Sequence, residues 1–154
     1  VWCAAFAIDA DPDVALWLPG QPLPEALLAG RVDPNTLMIA HNAIFEQSLW
    51  ENVLVAKHNW PPCPPPQCWR CTMVECLALA LPPALKDVAD VLALAHRKGD
   101  DRVIHTMSRP RLARSNEDPK GVYWHDDVAH REALSKYCRG DVECERDLWR
   151  WLSC

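Results

Sequence analysis

Glu46 and Asp141 are acids in places where an acid is unfavourable. Asp141 falls in the middle of a stripe formed by Leu134, Tyr137, Leu148 and Leu152 at spacings of three, four or seven, the repeat of one helix face. An unpaired charge on a buried face is costly enough that the group neutralises, pairs with a cation or binds a metal. Arg139 or Arg146 could pair with it, so a structural ion pair and a functional site both remain open. Glu46 shares a helical face with Asn42, Leu49 and Val53, one turn into a segment that follows an apolar run. Its simpler role is that of an acid placed favourably in a first helical turn.

Other chemistry-bearing residues are less specific. Cys68 and Cys71 form a CxxC that could be half of a zinc knuckle, with Cys63 and Cys76 nearby, but a second CxxC or HxxxH pair is missing. The chain has eight cysteines and no secretory signal, which favours reduced, packed thiols, with Cys71 and Cys76 placed on a helix. Seven basic residues lie between positions 96 and 120 (Arg97, Lys98, Arg102, Arg109, Arg111, Arg114, Lys120) in a chain of net charge −5. That segregation describes either a solvated loop or a flap facing a negatively charged strand. Trp69, Tyr123 and Trp124 could stack on bases or anchor the core.

The elements that must position these groups are legible in outline. VWCAAFAID and VALWLP read as two strands joined through the turn containing Asp9-Ala10-Asp11. LPEALLAG suits a short helix ending at Gly30, and NTLMIAH (residues 35 to 41) suits a strand covered on both faces. A helix from Asn42 to about Lys57 follows. NWPPCPPPQCW holds five of the 14 prolines and reads as a rigid loop rather than a linker. CTMVECLALALP, ALKDVADVLALA and RVIHTMS carry helical patterns, residues 108 to 125 are irregular, and a last helix runs from about Asp127 to Leu152. The whole is an α/β domain with helices on a mixed sheet, spanning 1–154 as one unit. With 154 residues, 49% of them hydrophobic, and no run long enough to span a bilayer, the chain is expected to be soluble, without membrane contact, and cytoplasmic. Its start at Val1 suggests a piece of something longer.

AHNAIFE (residues 40 to 46) and YCRGDVECE (137 to 145) resemble the second and third motifs of the DnaQ-like, RNase H-like 3′–5′ proofreading exonucleases, tyrosine subclass. VWCAAFAID, LWLPG, WRCTM, LALALP, MSRPR and EDPKGVYW extend the likeness to the exonuclease domain of phage and prophage-type family A DNA polymerases over essentially the whole chain. The resemblance implies an RNase H-like mixed sheet flanked by helices, acting on single-stranded DNA 3′ ends, in a longer polypeptide with a polymerase domain after residue 154. It also implies two Mg²⁺ or Mn²⁺ ions held by four carboxylates. Asp141 would ligate the ion that activates water, Tyr137 would orient that water, and Glu46 would act through the second ion or a bound water. Asn42, Phe45, Arg109 and Arg111 would meet the substrate strand.

The family's first motif, Asp-x-Glu on the central opening strand, is expected ahead of VWCAAFAID and is not in this chain. Two of four ligands and a central strand are then missing. The exonuclease is accordingly expected to be inactive as this fragment. The alternatives are a non-catalytic nucleic-acid-binding remnant of a phage polymerase and a small zinc module around Cys68 and Cys71.

Overall fold

The computed structural model describes residues 2–8, 11–33 and 36–154; Val1, Asp9, Ala10, Pro34 and Asn35 lie outside the described residues. Strands β1 (Ala4–Phe6) and β2 (Ala15–Trp17) pair antiparallel, Ala4 opposite Trp17 and Phe6 opposite Ala15, as two short apolar runs on either side of a turn predict. Helix α1 (Glu25–Val32) runs two residues past the expected stop. Strand β3 (Met38–Ala40) leads through His41 and Asn42 into α2 (Ala43–Leu49). Asn42 caps that turn with φ 72°, a left-handed conformation that asparagine tolerates better than most residues. The helix then widens into a π turn (Trp50–Val55) before α3 (Ala56–His58), and the π turn buries Trp50 and Leu54.

One element departs from the sequence reading. Trp69–Cys71 forms strand β4, pairing parallel with β3 so that Met38 faces Trp69 and Ala40 faces Cys71. Cys71 therefore ends a strand, and helix α4 (Thr72–Ala78) carries Cys76 alone. Three residues are too few to show a period, and they become a strand because a distant β3 offers them an edge. Helices α5 (Leu85–Val91), α6 (Arg102–Met107) and α7 (Val128–Leu152) fall where the patterns put them. Asp127 caps α7, its carboxylate accepting the His130 N–H at 3.2 Å.

The architecture is mixed α/β with two small sheets, β1-β2 and β3-β4. Helices surround two cores. One is aromatic, built on Trp17, Trp50, Trp60 and Trp69 with Ala40, Ala43 and Leu54. The other packs Cys76, Leu85, Val88, Ala89 and Leu94 against Cys144 and Leu148 of α7. The proline-rich loop belongs to the first core: Trp50 donates to the Pro61 carbonyl at 2.8 Å and Trp69 to the Pro64 carbonyl at 3.1 Å. Among the described residues no helix is long and apolar enough to cross a membrane.

Strands β1 and β3 are not joined by any described strand. Residues 3–8 and 36–42 instead wall the same open cleft of about 1540 Å³. For this reason β3 is less covered than expected, Met38 and Ile39 being only half-buried.

Candidate functional site

Glu46 from α2 and Tyr137, Asp141 and Glu145 from α7 all wall this cleft. The spacing of four puts the three α7 groups on one face, and the strand-to-helix junction at Asn42 aims α2 toward it. Glu46 Oε2, Tyr137 Oη, Asp141 Oδ1 and Glu145 Oε1 are buried without a hydrogen-bond partner. Burial and then the charges of Glu46 and Asp141 push the Glu145 pKa up to about 8. Burial raises Glu46 to about 7, and it raises Asp141 as well, against the pull of Lys98. Of these three acids, brought together from segments far apart in sequence, Glu145 favours its proton at neutral pH, Glu46 sits near its midpoint, and Asp141 is shifted in the same direction.

The cation that meets Asp141 is Lys98, its Nζ 3.2 Å from Oδ2. The expected arginine does not take this place, and Arg146 reaches the Asp11 carbonyl and Glu143. The ammonium also sits 5.4 Å from the Tyr137 ring centroid. Burial works against its charge, but Tyr137 and Asp141 outweigh burial and the Lys98 pKa is raised. A Cβ on Gly99 would lie 3.2 Å from Cδ2 of Tyr137, so glycine lets this segment close over the ring. Burial raises the Tyr137 pKa.

His41 is fixed by two partners, Pro83 O at 2.7 Å from Nε2 and Thr72 Oγ1 at 3.0 Å from Nδ1. A carbonyl can only accept, so the proton sits on Nε2 and Nδ1 accepts from the threonine hydroxyl. Burial lowers the His41 pKa, consistent with a neutral ring bracing the junction that presents Glu46.

Asn42 and Phe45 wall the cleft beside Glu46, and Phe45 is exposed. Arg109 and Arg111 do not belong to its walls. Arg111 makes two 2.7 Å bonds to Glu117, whose pKa it pulls down to about 2, and lies 5.0 Å from the Tyr123 ring. Its guanidinium holds residues 108 to 125 in shape. Arg97 pairs with Asp90 and Arg102 with Asp100, so much of the basic segment is neutralised by acids close in sequence. Trp69 is core.

Glu145 was missed by the motif reading, although it extends the 137, 141 spacing by one further turn. Lys98 carries no such signal, since it lies in a polar connection. Carboxylate oxygens suit a hard divalent ion, yet among the described residues no three of His, Cys, Asp and Glu are grouped to hold a metal. These donors do not by themselves form a ligand set, and neither do the cysteines around Cys68 and Cys71.

Over 153 residues the chain is 32% identical to a DNA polymerase of Bacillus phage SP02, a match that takes in 97% of this chain and 23% of that polymerase. It is similar to one part of a phage DNA polymerase. The chain thus spans about a quarter of that relative's length. No family model and no solved structure matches it.

Proposed function

We propose that this is a polymerase-associated 3′–5′ exonuclease-type domain for single-stranded DNA ends, one that requires a further strand between β1 and β3 to act. The observation that carries the reading is the convergence of Glu46, Asp141 and Glu145, with orphaned oxygens, on a cleft beside two unjoined strands. Similarity to a phage DNA polymerase supports the polymerase association. Mg²⁺ or Mn²⁺ would need carboxylates beyond those grouped here, and an incoming strand bearing Asp-x-Glu would bring two.

The test is to fuse such a strand ahead of Val1 and follow a 5′-labelled single strand in Mg²⁺. Stepwise shortening from the 3′ end by the fused protein, absent from the bare chain and from fused Asp141→Asn, is the expected result. A folded fusion that leaves the strand intact overturns the reading. The pairing of Lys98 with Asp141 favours a second reading, a binding domain without catalysis. In that case the fusion retains the labelled strand without shortening it.

A further inference from the structure

Cys3 and Cys138 are 135 positions apart in sequence, yet their sulfur atoms lie 3.7 Å from each other. Cys3 immediately precedes β1, and Cys138 follows Tyr137 on α7. Both thiols are partly buried and both wall the cleft, within reach of a small molecule entering it. A disulfide needs an S–S separation of about 2.05 Å, so closure takes a movement of under roughly 2 Å, within the range of side-chain rotation.

We propose that Cys3 and Cys138 form a reversible disulfide latch that ties β1 to α7 beside Tyr137. The hydrogen bond between the two thiols lowers the pKa of Cys3 and raises that of Cys138, which makes Cys3 the first nucleophile. With glutathione disulfide as oxidant, the Cys3 thiolate attacks one glutathione sulfur and a glutathione thiolate leaves. Cys138 Sγ then attacks Cys3 Sγ and loses its proton as the second glutathione thiolate departs and takes that proton. Two protein thiols are oxidised and one glutathione disulfide is reduced to two thiols.

The latch has a structural consequence at the site. The segment from Cys3 to Ile8, with β1, forms one wall of the cleft, and α7 carries Tyr137, Asp141 and Glu145 on another. A bond between them fixes the separation of these two walls. Because it closes a loop of nearly the whole chain, it also restricts the unfolded state strongly. The exposed Cys154 and the fully buried Cys76 and Cys144 serve as internal comparisons, one accessible without a partner sulfur in reach and two shielded.

The experiment treats the full chain with glutathione disulfide and follows intact mass, mapped peptides and melting midpoint. The expected product has lost two hydrogens, about 2 Da, with residues 3 and 138 in one linked peptide pair, and is restored by dithiothreitol. Its melting midpoint should rise on oxidation. In Cys138→Ser the reaction should stop at a glutathione adduct on Cys3, with no rise. Should the Cys138→Ser variant fail to fold, alkylation of the parent chain gives the same answer, through joint loss of labelling at Cys3 and Cys138. A dominant linkage between other cysteines, or persistence of both free thiols while Cys154 is modified, overturns the proposal.

Discussion

Around Trp50 the indoles meet edge to face, 5.1 Å from Trp60 at 89° and 6.3 Å from Trp69 at 89°, and Trp17 meets Trp60 at 5.1 Å and 79°. Three of the four ring N–H groups end on carbonyls, those of Gln21, Pro61 and Pro64, leaving only that of Trp60 unpartnered. Around Asp141 the balance is reversed. Four polar atoms on four residues there are buried without a partner, and one lysine supplies the only cation in direct contact with the acids among the described residues. Both regions gather residues from distant segments, so long-range assembly does not distinguish them. The difference lies in completeness: the aromatic cluster satisfies itself, and the carboxylate cleft calls for something it does not contain.

That contrast predicts its largest effect in the aromatic cluster. Trp50→Ala removes two ring contacts, the bond to the Pro61 carbonyl and a nearly fully buried side chain, and is expected to cost about 3–5 kcal/mol. Urea unfolding measures this through the midpoint at constant m-value. A loss under about 1 kcal/mol would mean that the cluster is decorative, since even a modest buried truncation exceeds that figure.

The cleft should respond in the opposite direction. The Glu145 carboxyl is raised from 4.5 to about 8 in the folded protein, and Glu46 from 4.5 to about 7. Between the unfolded and folded values the native state holds the extra proton. The stability that these two groups contribute is therefore full below about pH 4.5 and is lost as pH rises toward 7 and 8, by up to about 1.4 kcal/mol per pH unit for each group. Glu145→Gln removes one of these groups without removing its shape. It should flatten the fall and raise the melting midpoint at pH 8 in metal-free buffer. A variant with the same pH profile as the parent would show that Glu145 is solvated and outside the cluster.

How much of this was legible in the sequence follows from the range of each signal. The hairpin and α7 are written locally, as two short apolar runs around a turn and as a stripe from Leu134 to Leu152, and the structure has both. Glu46 and Asp141 were singled out because an acid on an apolar face is improbable without a partner, and the structure puts both on one cleft. Glu145 stands one turn beyond the Tyr137 and Asp141 motif, outside its pattern but within reach of the same argument from spacing. Strand β4, Lys98 and the Cys3 contact depend on partners 31 to 135 positions away, and no local period records them. What the chain writes locally is which faces are apolar. What meets on those faces is decided by tertiary packing.

The smallest expected effect is the one that tests how the cleft compensates its charge. The Lys98 and Asp141 side chains are 28% and 25% exposed, so their attraction is only partly screened, and burial still raises the Asp141 pKa despite the lysine. Lys98→Met leaves that carboxylate without its cation and should destabilise the chain. Asp141→Asn removes a disfavoured charge and should be neutral or stabilising on its own. In the Asp141→Asn background the cost of Lys98→Met should shrink, giving a coupling on the order of 1 kcal/mol in a double-mutant cycle. The same cycle between Lys98→Met and Trp50→Ala should be additive within about 0.5 kcal/mol, because the two regions share no polar partner. If Lys98→Met costs the same with aspartate or asparagine at position 141, the lysine serves only to cover the Tyr137 ring, and the carboxylates balance their charge through protons alone.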